Sequence, residues 1–228
     1  MTDSQLDYRW AALVPMRHHS ERVPGKNYRP LAGKPLYAYI IETLLAVEAV
    51  ELIVVNTDSE VIWDGIEKAY PQVKLIERPA ELRDGEIPMN QVLLHDVGQA
   101  KSKFYLQTHS TNPLLKPATV TAAIERFEAA FPEKDSLFGV TRLQTRLWTP
   151  DGEPINHDPS ELLRTQDLPP VYEENSCFYL FERDGFLARK NRLGSNPALF
   201  EVDADEAYDI DEEVDFRMVN CLVKDQRI

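Results

Sequence analysis

Short, nearly continuous apolar runs alternate along the chain with stretches whose apolar residues recur every three or four positions. This alternation predicts βα units around a mainly parallel sheet flanked by helices. Trp10 to Pro15 (WAALVP) reads as a first buried strand, and Glu51 to Asn56 (ELIVVN), Val73 to Ile76 and Lys103 to Gln107 (KFYLQ) as further strands. Between them, Leu36, Tyr39, Ile40, Leu44 and Val47 predict a helix with Pro35 in its first turn. Val61, Ile62, Ile66 and Ala69 predict another, preceded by the capping residues Thr57, Asp58 and Ser59. Helices are also expected near Asn90 to Ala100, over Pro117 to Phe131 and over Glu212 to Val223.

The pattern changes after Ser136. Ser136 to Arg142 and Asn175 to Phe181 (NSCFYLF) read as strands, and the Pro- and Asp-rich stretch between them reads as irregular. With no repeat and no Pro/Gly/Ser linker, the expectation is one domain over residues 1–228, with an inserted lid or dimerisation arm within 136–181.

Composition narrows the function classes. A 228-residue chain with 43% hydrophobic residues can fill a core. A formal charge of −13 argues against nucleic acid or an anionic membrane as partner. The charge is uneven, however. Glu201 to Asp215 holds nine acids and no Lys or Arg, whereas Arg17 to Lys34 holds five cations against the single acid Glu21. Cys177 and Cys221 stand in apolar runs, which fits small buried residues in a reducing compartment. The N-terminus lacks the pattern of a signal peptide and no run is long enough to span a membrane, so a cytoplasmic location is expected.

The long loop after the first strand falls where open α/β sheets bind ligands. Arg17, Ser20, Arg22, Lys26 and Asn27 offer guanidinium, hydroxyl, ammonium and amide donors suited to a polyphosphate, although a solvated basic loop has the same composition. The loop is neither a Walker A nor a GxGxxG turn. In the acidic segment, Tyr208 to Phe216 (YDIDEEVDF), an extended backbone would point Asp209 and Asp211 the same way with Ile210 packed inward. Two such carboxylates suit Mg²⁺, which takes few protein ligands plus phosphate oxygens and water. The same acids also suit a helix N-terminus. Asp58 fits either a site role or an N-cap. His18 and His19 read as loop residues, and Phe178, Tyr179 and Phe181 as core.

The run Ala12 to Asn27 (ALVPMRHHSERVPGKN), continuing through Pro30 to Leu36 (PLAGKPL), resembles the signature of the CMP-sialic acid synthetases, the acylneuraminate cytidylyltransferases. Val54 to Glu60, Glu77 to Leu82, Leu106 to Leu114, Arg164 to Pro169 and the Asp209-Ile210-Asp211 triplet are similar to further segments of that family. Departures are His18 and His19 for Gly-Gly, Met16 for a small residue, two extra residues in Leu106 to Leu114, and Ser176 for Gly. The resemblance implies a Rossmann-like, GT-A-like nucleotidyltransferase fold, Mg²⁺ at Asp209 and Asp211, and transfer of CMP from CTP to the anomeric hydroxyl of a 2-keto-3-deoxy sugar acid. It implies Lys26, Arg17 and Arg22 on the triphosphate, with Lys26, Arg17 and Asp211 catalytic, and Ser20, Asn27 and Arg78 on the nucleotide. It implies Gln107, Arg164 and Gln166 on the acceptor, Arg164 as a carboxylate partner, and a homodimer. Another NTP, another acceptor such as a phosphonate, and a non-catalytic nucleotide-sugar-binding relative remain open alternatives.

Overall fold

A computed structural model describes residues 6–161 and 163–225. The first strand, β1 (Tyr8–Met16), lies within the sheet, and its alternation explains why both faces are covered. Trp10, Ala12, Val14 and Met16 pack on one side with α1 (Leu36–Leu45), α2 (Glu60–Ala69) and α4 (Pro117–Ala130). Ala11 and Leu13 pack on the other with α3 (Met89–Gln99) and α5 (Arg183–Arg189). A strand buried on both faces reads as a continuous apolar run, as WAALVP does.

Seven strands form the main sheet. They are β1, β4 (Leu52–Thr57), β5 (Lys74–Glu77), β6 (Ser102–Thr108), β7 (Ser136–Leu143), β8 (Val171–Glu182) and β9 (Pro197–Glu201), in the order β5-β4-β1-β6-β8-β7-β9. A two-stranded ribbon, β2 (Pro30–Leu31) with β3 (Lys34–Pro35), lies apart from it. β1 pairs in parallel with both β4 and β6, and β4 with β5. β8 runs antiparallel to β6 and to β7, and β9 parallel to β7. The chain builds outward from β1 through β4 to β5, then returns to add β6 on β1's other side. The carboxyl ends of β1 and β6 therefore flank a switch point, where a crevice opens.

Most expected elements fall within a few residues of their predicted bounds. Pro35 is an exception, because it occupies the N-cap of α1 rather than its first turn. α5 and β9 were not expected, being too short and too mixed to carry a period. The ends of the 136–181 stretch, β7 and β8, belong to the main sheet, leaving the irregular segment 144–170 as the projection between them. Opposite Gly139 the β7–β8 register shifts, and Ser176 takes a left-handed φ of 58°. Such a backbone suits glycine, which is what the resembling family carries there. Cys177 is buried as expected, but Cys221 is exposed on α6 (Glu213–Asp225); both are free. No helix among the described residues is long and apolar enough to cross a membrane.

Candidate active site at the switch point

The loop after β1 is held in shape by its own side chains. Gly25 takes φ 68°, and a Cβ there would meet the Tyr28 ring at 3.0 Å. Tyr28 stacks on His18, whose ring lies 5.2 Å away. The His18 amide donates to Asp58 Oδ1 at 2.7 Å, and its Nδ1 lies 2.8 Å from Ser59 Oγ. Asp58 is therefore an anchor for the loop, and Ser59 is the residue that caps α2, accepting from the Ile62 amide. The Asn27 amide donates to Arg17 O at 2.7 Å, and its Oδ1 accepts from Ser110 Oγ at 2.7 Å. Both halves of that side chain shape the loop.

Below the loop a separate apolar cluster (Val23, Leu31, Leu36, Ile210, Phe216, Val219) joins it to α6 and the acidic segment. The two oppositely charged stretches meet directly. Arg22 donates to Asp211 Oδ1 at 2.8 Å and lies 3.5 Å from Glu212. Lys26, whose side chain is only 13% exposed, donates to the Ile210 carbonyl at 2.6 Å and stands 3.5 Å from Asp211 Oδ1. Arg29 grips Glu213 with both terminal nitrogens, at 2.6 and 2.7 Å. Asp215 takes the helix-start role, accepting from the amides of Asp211 and Glu212 at 3.0 and 2.7 Å, the acid's half of a capping box.

Between the loop and the ends of β5 and β6 lies a cleft of about 330 Å³. Arg17, Ser20, Arg22, Lys26, Asn27 and Arg78 all line it, together with His109, Ser110 and Thr111 after β6 and Met89 and Val92 of α3. Arg78 is 3% exposed, and its Nε donates to Asn56 Oδ1 at 2.7 Å. Asn56 in turn donates to Asp96 Oδ1 at 2.5 Å. Burial lowers the Arg78 guanidinium from its ordinary value and raises the Asp96 carboxyl, whose Oδ2 has no partner.

Asp209 and Asp211 stand beside the cleft, joined to it through Thr111, Arg22 and Lys26. Ile210 between them is fully buried, as the alternation predicts. Burial raises the Asp209 carboxyl above the usual carboxylate range, and the neighbouring Asp211 charge adds to this. Its Oδ1 is buried with no hydrogen-bond partner. A hard carboxylate oxygen without a proton donor, next to a second carboxylate, fits a divalent ion such as Mg²⁺. A separate trio, Asp203, Asp205 and Glu206, serves the start of α4: Glu206 accepts from the Lys116 amide and pairs with its ammonium.

On the acceptor side expected from the sequence, Gln107 is fully buried at the end of β6 rather than in the cleft wall. It donates to the Thr108 carbonyl and to His109 Nε2, each at 3.0 Å. Burial, and then the charges of Arg192 and Lys26, push His109 down to about 3, so the ring is neutral and accepts. Arg164 and Gln166 lie on the exposed projection, away from the cleft lining of this chain, where Arg164 is closed onto Asp167 at 2.7 and 3.2 Å. Asn56, Asp96, His109 and Arg192 were not anticipated. A polar residue ending an apolar strand and an acid between Leu93 and Val97 on a buried helix face were readable signals for the first two. Arg192, in a polar loop, offered none.

The cytidylyltransferase sequence pattern matches residues 11–228, from the first strand through the acidic segment. The chain belongs to the cytidylyltransferase family. This cytidylyltransferase is 27% identical over 227 residues to the post-translational flagellin modification protein B of Campylobacter coli, covering 93% of this chain and 94% of that protein. It is 27% identical over 223 residues to the CMP-N,N'-diacetyllegionaminic acid synthase of Legionella pneumophila, covering 93% and 95%. Among solved structures it is similar to CMP:2-keto-3-deoxy-manno-octonic acid synthetase complexed with CTP, with a TM-score of 0.74 at 17% identity over 96% of this chain and 99% of the other. It is also similar to 4-diphosphocytidyl-2C-methyl-D-erythritol synthase of Anaerococcus prevotii, with a TM-score of 0.70 at 11% identity, covering 98% and 100%. The shared architecture is the mixed, mostly parallel seven-stranded sheet with helices on both faces.

Proposed function

We propose that this cytidylyltransferase moves CMP from CTP to the anomeric hydroxyl of a sialic-acid-like 2-keto-3-deoxy sugar acid, releasing pyrophosphate. The observation that carries the reading is the clasp of the cationic loop onto the Asp209-Ile210-Asp211 segment at the switch point, with Asp209 Oδ1 left without a donor. The acid-sugar synthases among its relatives support the choice of acceptor class.

In this reading Arg17, Ser20, Arg22 and Lys26 hold the triphosphate over the loop. Arg78, fixed by Asn56, faces the nucleotide's base end, and Asn27 acts by shaping the loop. Asp209 and Asp211 would hold Mg²⁺, which when bound neutralises charge on the phosphate oxygens. Lys26 and Arg17 oppose the charge that develops as the acceptor oxygen reaches the α-phosphorus and pyrophosphate leaves. Gln107, buried behind the cleft wall, serves the acceptor side only through His109, which lines the cleft. The whole chain acts as one catalytic unit, and the 144–170 projection is its dimerisation arm, through which Arg164 and Gln166 serve the acceptor in a second copy.

The test is incubation of the protein with CTP, Mg²⁺ and a panel of keto acids, with pyrophosphate detection and mass spectrometry of the product. A CMP-linked acid sugar is expected. Pyrophosphate release with ATP, GTP or UTP but not CTP, or with none of the acids, would overturn the reading.

A further inference from the structure

Arg192 lies on the loop after α5, and the assignments above leave it without a task. Its backbone amide donates to Asn90 Oδ1 at 3.3 Å, tying the loop to α3. Its guanidinium carbon stands 3.5 Å from the centroid of the buried Tyr179 ring, and Arg192 itself is half-buried. Nη1 donates to Oε1 of Gln107 at 2.5 Å. Tyr179 and Gln107 are paired neighbours on β8 and β6, so two strands of the central sheet fix the plane and direction of one guanidinium.

No carboxylate ion-pairs with Arg192 among the described residues. The nearest acid acting on it, Glu174, is turned to the Tyr179 hydroxyl, which donates to it at 2.5 Å. Arg22 is paired with Asp211 and Glu212, and Arg29 with Glu213, while Arg78 in the cleft is held by the neutral Asn56. A half-buried guanidinium whose partners are the neutral Gln107 and Tyr179 is completed by an anion. His109, which lines the cleft, feels the charges of Arg192, Lys26 and Asp211. Arg192 therefore stands beside the cleft, joined through Gln107 to His109, which lines it.

We propose that Arg192 binds the carboxylate of the acceptor acid, with Tyr179 and Gln107 holding its planar fork ready, and so selects acids over their neutral analogues. This rests on the acid-sugar reading of the site. The carboxylate partner within the chain is then Arg192, and Arg164 has a different duty on the projection. A planar guanidinium held on one face by an aromatic ring and at one nitrogen by an amide still presents donors in its plane, the geometry that a carboxylate matches.

The experiment compares kcat/KM for N-acetylneuraminate and 3-deoxy-manno-octulosonate with that for their methyl esters, in the wild type, R192K and R192Q, with CTP and Mg²⁺ saturating. The wild type is expected to prefer the acids by roughly 10- to 100-fold. R192Q loses that factor on the acids while the rates on the esters stay within about threefold, so the acid-to-ester ratio approaches one, and R192K recovers part of it. The KM for CTP and the CTP-induced rise in Tm stay within about twofold of wild type. An unchanged acid-to-ester ratio in R192Q, or an equal fall on acids and esters, overturns the proposal and leaves the acid-sugar reading standing. If R192Q does not fold, R192M, which keeps an apolar stem on Tyr179, carries the same ratio test. If the wild type turns over no acid at all, the failure lies in the acid-sugar reading itself.

Discussion

Asp209→Asn separates a metal-binding role from a structural one, because the two predict opposite signs in stability. The carboxylate sits beside the Asp211 charge, its Oδ1 lacks any donor, and burial raises its pKa, so in the absence of a cation the folded state disfavours its ionised form. A buried polar atom left unsatisfied costs about 1–3 kcal/mol, more when charged. Asparagine keeps the shape and the Thr111 side but removes the charge and the repulsion from Asp211. Without metal, D209N should therefore gain about 1–2 kcal/mol. For a chain of this size that raises Tm by about 2–8 °C. Catalysis should fall by about a thousandfold or more, equivalent to about 4 kcal/mol of lost transition-state stabilisation. The rise in Tm that Mg²⁺ with CTP gives the wild type should be absent. Differential scanning fluorimetry with and without Mg²⁺ and CTP, together with continuous pyrophosphate release, reads all three. A D209N protein that melts lower than wild type in EDTA and still turns over within tenfold of it would refute the metal reading and make Asp209 a fold-supporting residue.

Three further outcomes follow from single contacts. Lys26→Met removes the donor to the buried Ile210 carbonyl as well as the proposed triphosphate contact, so the KM for CTP should rise about 10- to 100-fold and stability should fall by about 1–3 kcal/mol, read by pyrophosphate assay and denaturant melts. Asp96 has a raised pKa, so the native state holds its proton more tightly than the unfolded chain does. Its contribution is fully present at low pH and is lost as pH rises from the ordinary carboxylate range through the folded value, and Asp96→Asn should flatten that part of the Tm-against-pH curve. Ser176→Gly relieves the left-handed φ at the β7–β8 irregularity and should stabilise by up to about 1 kcal/mol in urea titrations, net of the extra freedom glycine gives the unfolded chain.

The parallel half of the sheet was legible in the sequence because its strands are buried on both faces and its helices on one. WAALVP and ELIVVN could belong to no solvent-facing strand, and Ile62 and Ile66 mark a helical stripe, with Val61 turned out to solvent. The Asp209-Ile210-Asp211 alternation was legible for the same reason, with Ile210 needing a core and finding one. α5 was not, because in RDGFLAR only Phe186 is a buried apolar residue, too little for a period to form. Residue type alone left Asp58 open between a site role and an N-cap and could not show that Asn27, which lines the cleft, also bonds backbone and Ser110; Asp58 accepts from the His18 amide. Arg192 was out of reach because its meaning depends on Tyr179 and Gln107, which are 13 and 85 positions away and meet it only once β6 and β8 pair.

The charge of −13 says little about which ligand this chain prefers, because the structure spends the opposing charges on one another. Arg22 and Lys26, the cations proposed to meet phosphate oxygens, are held by Asp211. On the proposed reading, binding a triphosphate would exchange partners rather than create them: the cations would pass from Asp211 to the ligand, and Asp211 would be released toward the ion that accompanies it. Such an exchange makes CTP and Mg²⁺ affinities mutually dependent. Either alone would leave a charge unpaired, the metal facing cations that have not let go of Asp211, or the triphosphate stripping Asp211 of its partners. Thermal shifts should accordingly be small for Mg²⁺ alone and for CTP in EDTA, and larger than their sum when both are present. In R22A, where Asp211 has already lost its closest cation, Mg²⁺ alone should bind more tightly than in the wild type while the excess shift shrinks. Additive shifts in the wild type would mean that the clasp does not open on binding.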